Sequence, residues 1–319
     1  MVETKARERP AEPRRPEASR RRGGRRPRVG RPPLSLFLFP VPLLVLYVIF
    51  FVLPTFQALQ YATTNWDGFS SDYQTVGIAN FTKLATNDDL FHNAVFNSLQ
   101  FMVIVVVLQT ALSLLLGILL VRNTRGSVFL RALFFFPTIL SSVSVAFIWR
   151  FIYDPNVGLG NRVLDAVGLE RLHSAYLGEP ALAIVFVALT QVWFHAGQLM
   201  IVYIAGLQQV PAEVNEAAVI DGANRWQRFR YVTWPMIAPA TTIVMAYTTL
   251  QSFKAFDLIL GLDGNPPRKS LDILSTRVYS SFADNEFGYA SAESVVFMLV
   301  IAVVVVLQRR AVRMTHSGE

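Results

Sequence analysis

Phe101–Val121 reads FMVIVVVLQTALSLLLGILLV, without one charged residue. At 1.5 Å per residue, a helix of this length is about 30 Å long, the thickness of a bilayer's hydrocarbon core. Five more stretches of similar length accompany it: Leu34–Gln57, Ala132–Ile152, Ala181–Tyr203, Val232–Ser252 and Gly288–Gln308. Val232–Ser252 is the weakest, with Thr241, Thr242, Thr248 and Thr249 inside it, and the last is unbroken only over Val295–Leu307. Composition agrees. The 319 residues are 53% hydrophobic and 16% charged, where a soluble domain carries about 25% charge. The expectation is an all-α integral membrane protein with six transmembrane helices.

Charge orients the spans. The segment up to Pro33 carries 12 of the 29 Lys and Arg residues. Arg122, Arg125 and Arg131 flank the second and third spans. Arg225, Arg228 and Arg230 lie between the fourth and fifth, and Arg309, Arg310 and Arg313 follow the sixth. Six spans place all of these on one side, which the positive-inside rule makes cytoplasmic. Both termini are then cytoplasmic, in a multi-pass protein of the cell membrane. The Arg-rich segment 1–33, broken by Pro and Gly, buries no core and is expected to be disordered, touching anionic membrane lipid rather than nucleic acid. Leu34–Gln57 exceeds a signal-peptide core and no small-x-small site follows it, so it reads as a retained span. Pro40, Pro42 and Pro54 are expected to kink its ends.

Several functions are excluded. The chain has no cysteine, hence no disulfide and no thiolate nucleophile or metal site. Its four histidines, His92, His173, His195 and His316, show no ligand spacing. There is no Gly-x-x-x-x-Gly-Lys-Ser/Thr loop for nucleotide phosphates, and no recognisable catalytic Ser/His/Asp set. The chain reads as non-catalytic, with no metal and no cofactor of its own.

The most shaped polar segment is Glu216-Ala217-Ala218-Val219-Ile220-Asp221-Gly222-Ala223, running on to Trp234-Pro235. Pro211 suits a helix start, Glu213 complements the dipole of its first turn, and Gly222 suits the left-handed position past its end. Asn224 can cap a second helix with Gln227 reaching back, and that helix should stop before Pro235. Ala217 and Ala218 leave a low face that another protein could approach. By spacing alone the segment is either a docking surface or an ordinary solvated connector.

The order Glu-Ala-Ala, three residues, Gly222, nine residues, then Val232-Thr233-Trp234-Pro235 resembles the signature of binding-protein-dependent ABC importer permeases. Val232 and Trp234 depart from the usual Ile and Leu. Val210-Pro211-Ala212-Glu213 also fits, and Asp221-Gly222-Ala223 is similar to the carbohydrate-uptake, maltose-type branch. Asn65-Trp66-Asp67-Gly68, Gly77 through Phe81, Asn97-Ser98, Gly158 through Asn161, Phe253 through Asp257 and Phe287 through Ala292 extend the resemblance over most of Leu34–Arg309. One turn departs plainly: Leu262-Asp263-Gly264-Asn265-Pro266-Pro267 stands where relatives carry Thr-Gly-Gly-Gly-Pro. The resemblance implies a permease domain over 34–310, with a cytoplasmic coupling loop at 204–234 and a short tail at 311–319. It implies a second permease subunit, a cytoplasmic ATPase dimer that binds the ATP and Mg, and an extracytoplasmic sugar-binding protein. Glu213, Glu216, Ala217, Ala218, Asp221, Gly222, Ala223 and Pro235 would couple ATP-driven closure to alternating access, and the cargo would be a sugar.

Within the fourth span, Gln191, His195 and Gln198 share one helical face. Their amides and imidazole both donate and accept hydrogen bonds, as a polyhydroxylated cargo requires; equally, such a stripe can serve helix–helix contacts alone. Trp193 and Trp149 offer stacking faces, and the resemblance implies Phe253 and Asp257 as further members of the candidate pathway. Thr138, Ser141, Ser142 and Ser144 read as small packing residues, and Glu293 as a carboxylate at the headgroup level. The rival to an ATP-driven permease is a secondary transporter or channel, but no intramembrane charge relay or inverted repeat supports it.

Overall fold

The computed structural model describes residues 38–316, which fall into two units that divide after Phe51. The expected tail 1–33 lies outside the described residues. In the first unit, the opening turns of helix α1 (Val41–Tyr61) start at Pro40 and Pro42 and bury no residue. Apolar opening turns with no buried residue suit lipid or another subunit as their surroundings.

The second unit contains α2 (Ala79–Thr86), α3 (Asp89–Leu120), α4 (Arg125–Phe135), α5 (Ser142–Ile152), α6 (Leu159–Ala166) and α7 (Pro180–Gln208). It continues with α8 (Ala212–Ile220), α9 (Arg225–Arg228), α10 (Ala238–Phe253), α11 (Phe256–Asp263), α12 (Leu274–Ala283) and α13 (Phe287–His316). Among the described residues the only β feature is an isolated bridge, Thr64 to Thr75. The part of 311–319 that is described, up to His316, continues α13.

Among the described residues, four helices are long and apolar enough to cross a membrane: α1, α3, α7 and α13. A fifth crossing exists if α4 and α5 count as one, but they are bent by 100°. The straight span expected at Ala132–Ile152 is therefore broken. Pro137 ends α4 in a 3-10 turn, Leu140 and Ser141 are extended, and the Ser141 hydroxyl caps a new helix by accepting from Ser144 N–H. The expected span Val232–Ser252 becomes α10, whose 16 residues reach only about 24 Å. Among the described residues, four or five of the six expected spans are thus present at membrane-crossing length.

α3 and α7 make the most extensive helix contact. Close approach is built in: Ser113 donates to the Ala196 carbonyl and Thr138 to that of Phe194, both at 3.0 Å. Arg131 caps the end of α3, its guanidinium donating to the carbonyls of Leu120 and Arg122. The orphan carbonyls of a helix end thus find a donor without water.

Two prolines inside helices follow the same device. A π-turn at Val48–Val52 precedes Pro54, and another at Phe229–Thr233 precedes Pro235. The wider register relieves the clash that a proline ring makes with the carbonyl four residues back. The helix expected to stop before Pro235 consequently runs through it, to Met236.

At the end of the bundle opposite α8, Glu293 is fully buried, not at a wet headgroup level. Arg277 of α12 lies between the two acids, its Nε 3.6 Å from Glu293 Oε1 and its Nη1 3.9 Å from Asp272 Oδ2. Tyr289 of α13 donates to Asp88, which also caps α3 through the Phe91 N–H. Burial tends to raise the Asp88 carboxyl, but the Tyr289 and Phe91 hydrogen bonds win and hold it below the ordinary carboxylate value. At Asp272 burial prevails and pushes the carboxyl up, against Thr276 and Arg277. One cation thus serves acids from two elements.

Candidate functional site: a capped elbow and a polar cavity

The elbow is α8 and α9 with the turn between them. Pro211 is the N-cap of α8, with Glu213 in its first turn. Gly222 sits at φ +80°, with its N–H donating to the Val219 carbonyl (3.0 Å) and the Ala223 N–H to that of Ala218 (2.9 Å). This pair of bonds is a Schellman motif, and it requires the left-handed residue that glycine supplies. Asn224 and Gln227 then form the expected capping box around the start of α9. The chain is thus locked through two short helices by its own caps.

Packing does not do the locking, because no residue of α8 is buried. Glu213, Glu216, Ala217, Asp221 and Gly222 are exposed, Ala218 and Ala223 half-buried, and Pro235 exposed at the far end. Exposed alongside them are Val214, Val219, Ile220 (86% exposed) and Trp226. These apolar residues were missed as site candidates. Their signal is in the sequence: apolar side chains on short helices within a polar island have no core of their own to enter.

The second candidate is a cavity of about 130 Å³ between α5, α7, α10 and α11, lined by Ser142, Gln191, His195, Gln251, Lys254 and Leu258. His195 Nδ1 lies 3.4 Å from the Gln191 carbonyl. Gln109 of α3 donates to Gln251 Oε1 at 3.4 Å, behind the cavity. Of the sequence candidates, the fold brings Gln191 and His195 together here. Gln198 lies one turn on and donates to Tyr247 instead. Trp193 stands edge-on to Trp149, 5.4 Å between centroids, and lines none of this cavity. Phe253 is buried against Phe297, and Asp257 is exposed in the first turn of α11. Ser142, Gln251 and Lys254 were not foreseen, since they come from helices distant in sequence. Amides, a hydroxyl, an imidazole and an ammonium around one space offer both donors and acceptors to a polar solute.

Residues 109–315 match the family model described as binding-protein-dependent transport system inner membrane component. The diacetylchitobiose uptake system permease protein NgcF of Streptomyces coelicolor is 36% identical, covering 96% of this chain and 90% of that protein. The multiple sugar-binding transport system permease protein MsmF of Streptococcus mutans is 34% identical, covering 83% of this chain and 90% of that protein. Among solved structures, a bacterial alginate ABC transporter, in complex with its alginate pentasaccharide-bound periplasmic protein, has a chain superposing with a TM-score of 0.77 at 21% identity. That match covers 89% of this chain and 95% of the other. The bent pair, the long α3–α7 contact and the self-capped elbow are therefore the fold of an ABC transporter permease, and the chain belongs to the family of binding-protein-dependent transport system inner membrane components.

Proposed function

We propose that this chain is the transmembrane permease subunit of an ABC sugar importer. It forms the pathway with a second permease and takes its energy from a separate cytoplasmic ATPase dimer, which binds the ATP and Mg. An extracytoplasmic sugar-binding protein delivers the cargo. The observation that carries this reading is the elbow: two capped helices, rigid by hydrogen bonding, that leave Val219, Ile220 and Trp226 exposed. Apolar side chains so displayed need a partner to cover them. Relatives named for diacetylchitobiose and multiple-sugar uptake support a sugar as the cargo. Gln191 and His195, with Gln251 and Lys254, supply polar contacts along the pathway.

In this reading, Glu213, Glu216, Ala217, Ala218, Asp221, Gly222, Ala223 and Pro235 transmit closure of the ATPase to the bundle. Gly222→Pro tests it. Proline is confined to φ near −65° and cannot adopt the +80° found there. The elbow loses its turn, while the spans keep their packing. In reconstituted vesicles, binding-protein-stimulated uptake should fall at least about tenfold, with the chain still present in the membrane. Uptake at the wild-type rate would contradict the coupling role.

A further inference from the structure

A second cavity, of about 600 Å³, opens at the end of the bundle opposite the elbow. It lies between the first turns of α3, the start of α7 and the 264–273 loop, and is lined by Asn93, Phe96, Gln100, Arg268, Lys269 and Ser270. Its volume falls within the roughly 300–1,000 Å³ of small-ligand sites. We propose that it is an entry subsite where a saccharide ring rests before crossing to the Gln191–His195 cavity. This rests on the reading of the chain as a sugar permease.

The walls have the chemistry a sugar ring needs. Phe96 is 66% exposed, a free aromatic face for the C–H side of a ring. Asn93 and Asn97 donate to the Lys269 carbonyl at 2.6 and 2.9 Å, and Asn97 also to that of Asp272 at 2.9 Å. The Asn97 amino group is thereby spent on pinning the loop, and that of Asn93 uses one of its two N–H donors there. Among the described residues their carboxamide oxygens accept no hydrogen bond and remain for sugar hydroxyls. Arg268 is matched, since its backbone N–H and its guanidinium both bond to Asp263. Lys269 is exposed and forms no ion pair among the described residues, which leaves one ammonium, with the Gln100 amide, as donors to ring or hydroxyl oxygens.

Placement argues for passage. Ile184 borders this cavity and Gln191 the inner one. They are seven residues apart on α7, so they share a face, about 10 Å apart along the axis. Val187 and Ala188 lie between them, fully buried, in the same apolar cluster as Leu258, which borders the inner cavity. Two spaces with polar groups in their walls therefore line up along one helix, separated by an apolar layer. A solute held in the outer one is positioned to enter the inner one when that layer opens.

The test uses the assembled transporter in vesicles, with radiolabelled maltotriose, cellobiose and diacetylchitobiose as probes. Phe96→Ala, Gln100→Ala and Lys269→Ala, alone and together, all change side chains that are not needed for the core. Expected is an uptake rate about tenfold lower in the triple variant, and altered preference among the probes, while binding-protein-stimulated ATP hydrolysis stays within about twofold. ATP is then spent without cargo, because docking persists and the landing place is gone. Unchanged uptake and preference overturn the subsite. A parallel fall in ATP hydrolysis also overturns it, and makes the cavity a contact for the binding protein. If the wild type takes up none of the probes while its ATPase is stimulated, the sugar assignment fails, and the subsite with it.

Discussion

A chain carrying Gly197→Val should fail to accumulate as a folded membrane protein. A Cβ on Gly197 would lie 1.9 Å from the carbonyl oxygen of Phe134 and 2.3 Å from its carbon. Both are backbone atoms at the end of α4, so no rotamer change can yield. The helices would have to separate by more than an ångström at the point where Thr138 bonds to the Phe194 carbonyl. Overpacking usually costs about 1–3 kcal/mol; against rigid backbone the upper end or beyond applies, from a total of about 5–15 kcal/mol. Small residues at such crossings let helices approach in a medium that supplies no hydrophobic drive between them. Gly126→Ala is the control: nothing lies within 4 Å of a Cβ there, and alanine favours a helix by about 1 kcal/mol. Membrane-fraction yield and thermal unfolding in detergent separate the two. Wild-type stability of the valine variant would mean that α4 does not lie against α7 as described.

The second large effect is at Arg277. Among the described residues it is the one cation within ion-pair distance of both Glu293 and Asp272. Arg277→Leu leaves Glu293, fully buried, with a charge that nothing matches. Removing one partner of a buried pair costs about 3–5 kcal/mol, because the remaining charge stays desolvated. Adding Glu293→Gln to the same chain removes that charge and should recover at least about half of the loss. Thermal unfolding of the single and double variants checks this. Equal destabilisation in both would show that the arginine acts by packing and not by charge. The network joins α12, α13 and the cap of α3, so its loss should loosen the end opposite the elbow first.

How much of this was legible in sequence follows from the range of each interaction. The elbow was, because caps are local: Asn224 with Gln227, and Gly222 after a short helix, lie within a few residues of the groups they satisfy. The long spans were legible from apolar runs, as Phe101–Val121 shows, although α3 begins at Asp89. The break at Leu140–Ser141 was not, since the run around it is apolar whether straight or bent; only Ser141, able to cap, and Pro137 before it hint at a new helix. The π-turns before Pro54 and Pro235 were equally hidden, and a proline was read as a stop where the helix widens instead. The burial of Glu293 depends on Arg277 and Asp272, 16 and 21 residues away in sequence, and no local pattern announces it. The inner cavity was half legible. Gln191 and His195 share a helical face, whereas Ser142, Gln251 and Lys254 arrive from other helices by packing alone.

The central claim is that the α8–α9 elbow faces the cytoplasm and is covered there by the ATPase. A chain without cysteine permits one direct measurement: Ile220→Cys, 86% exposed at its position, probed with a membrane-impermeant maleimide. The account predicts labelling in inside-out vesicles and none in right-side-out vesicles, with protection when the ATPase subunit is co-assembled. Labelling from the outside, or undiminished labelling in the assembled complex, would contradict it.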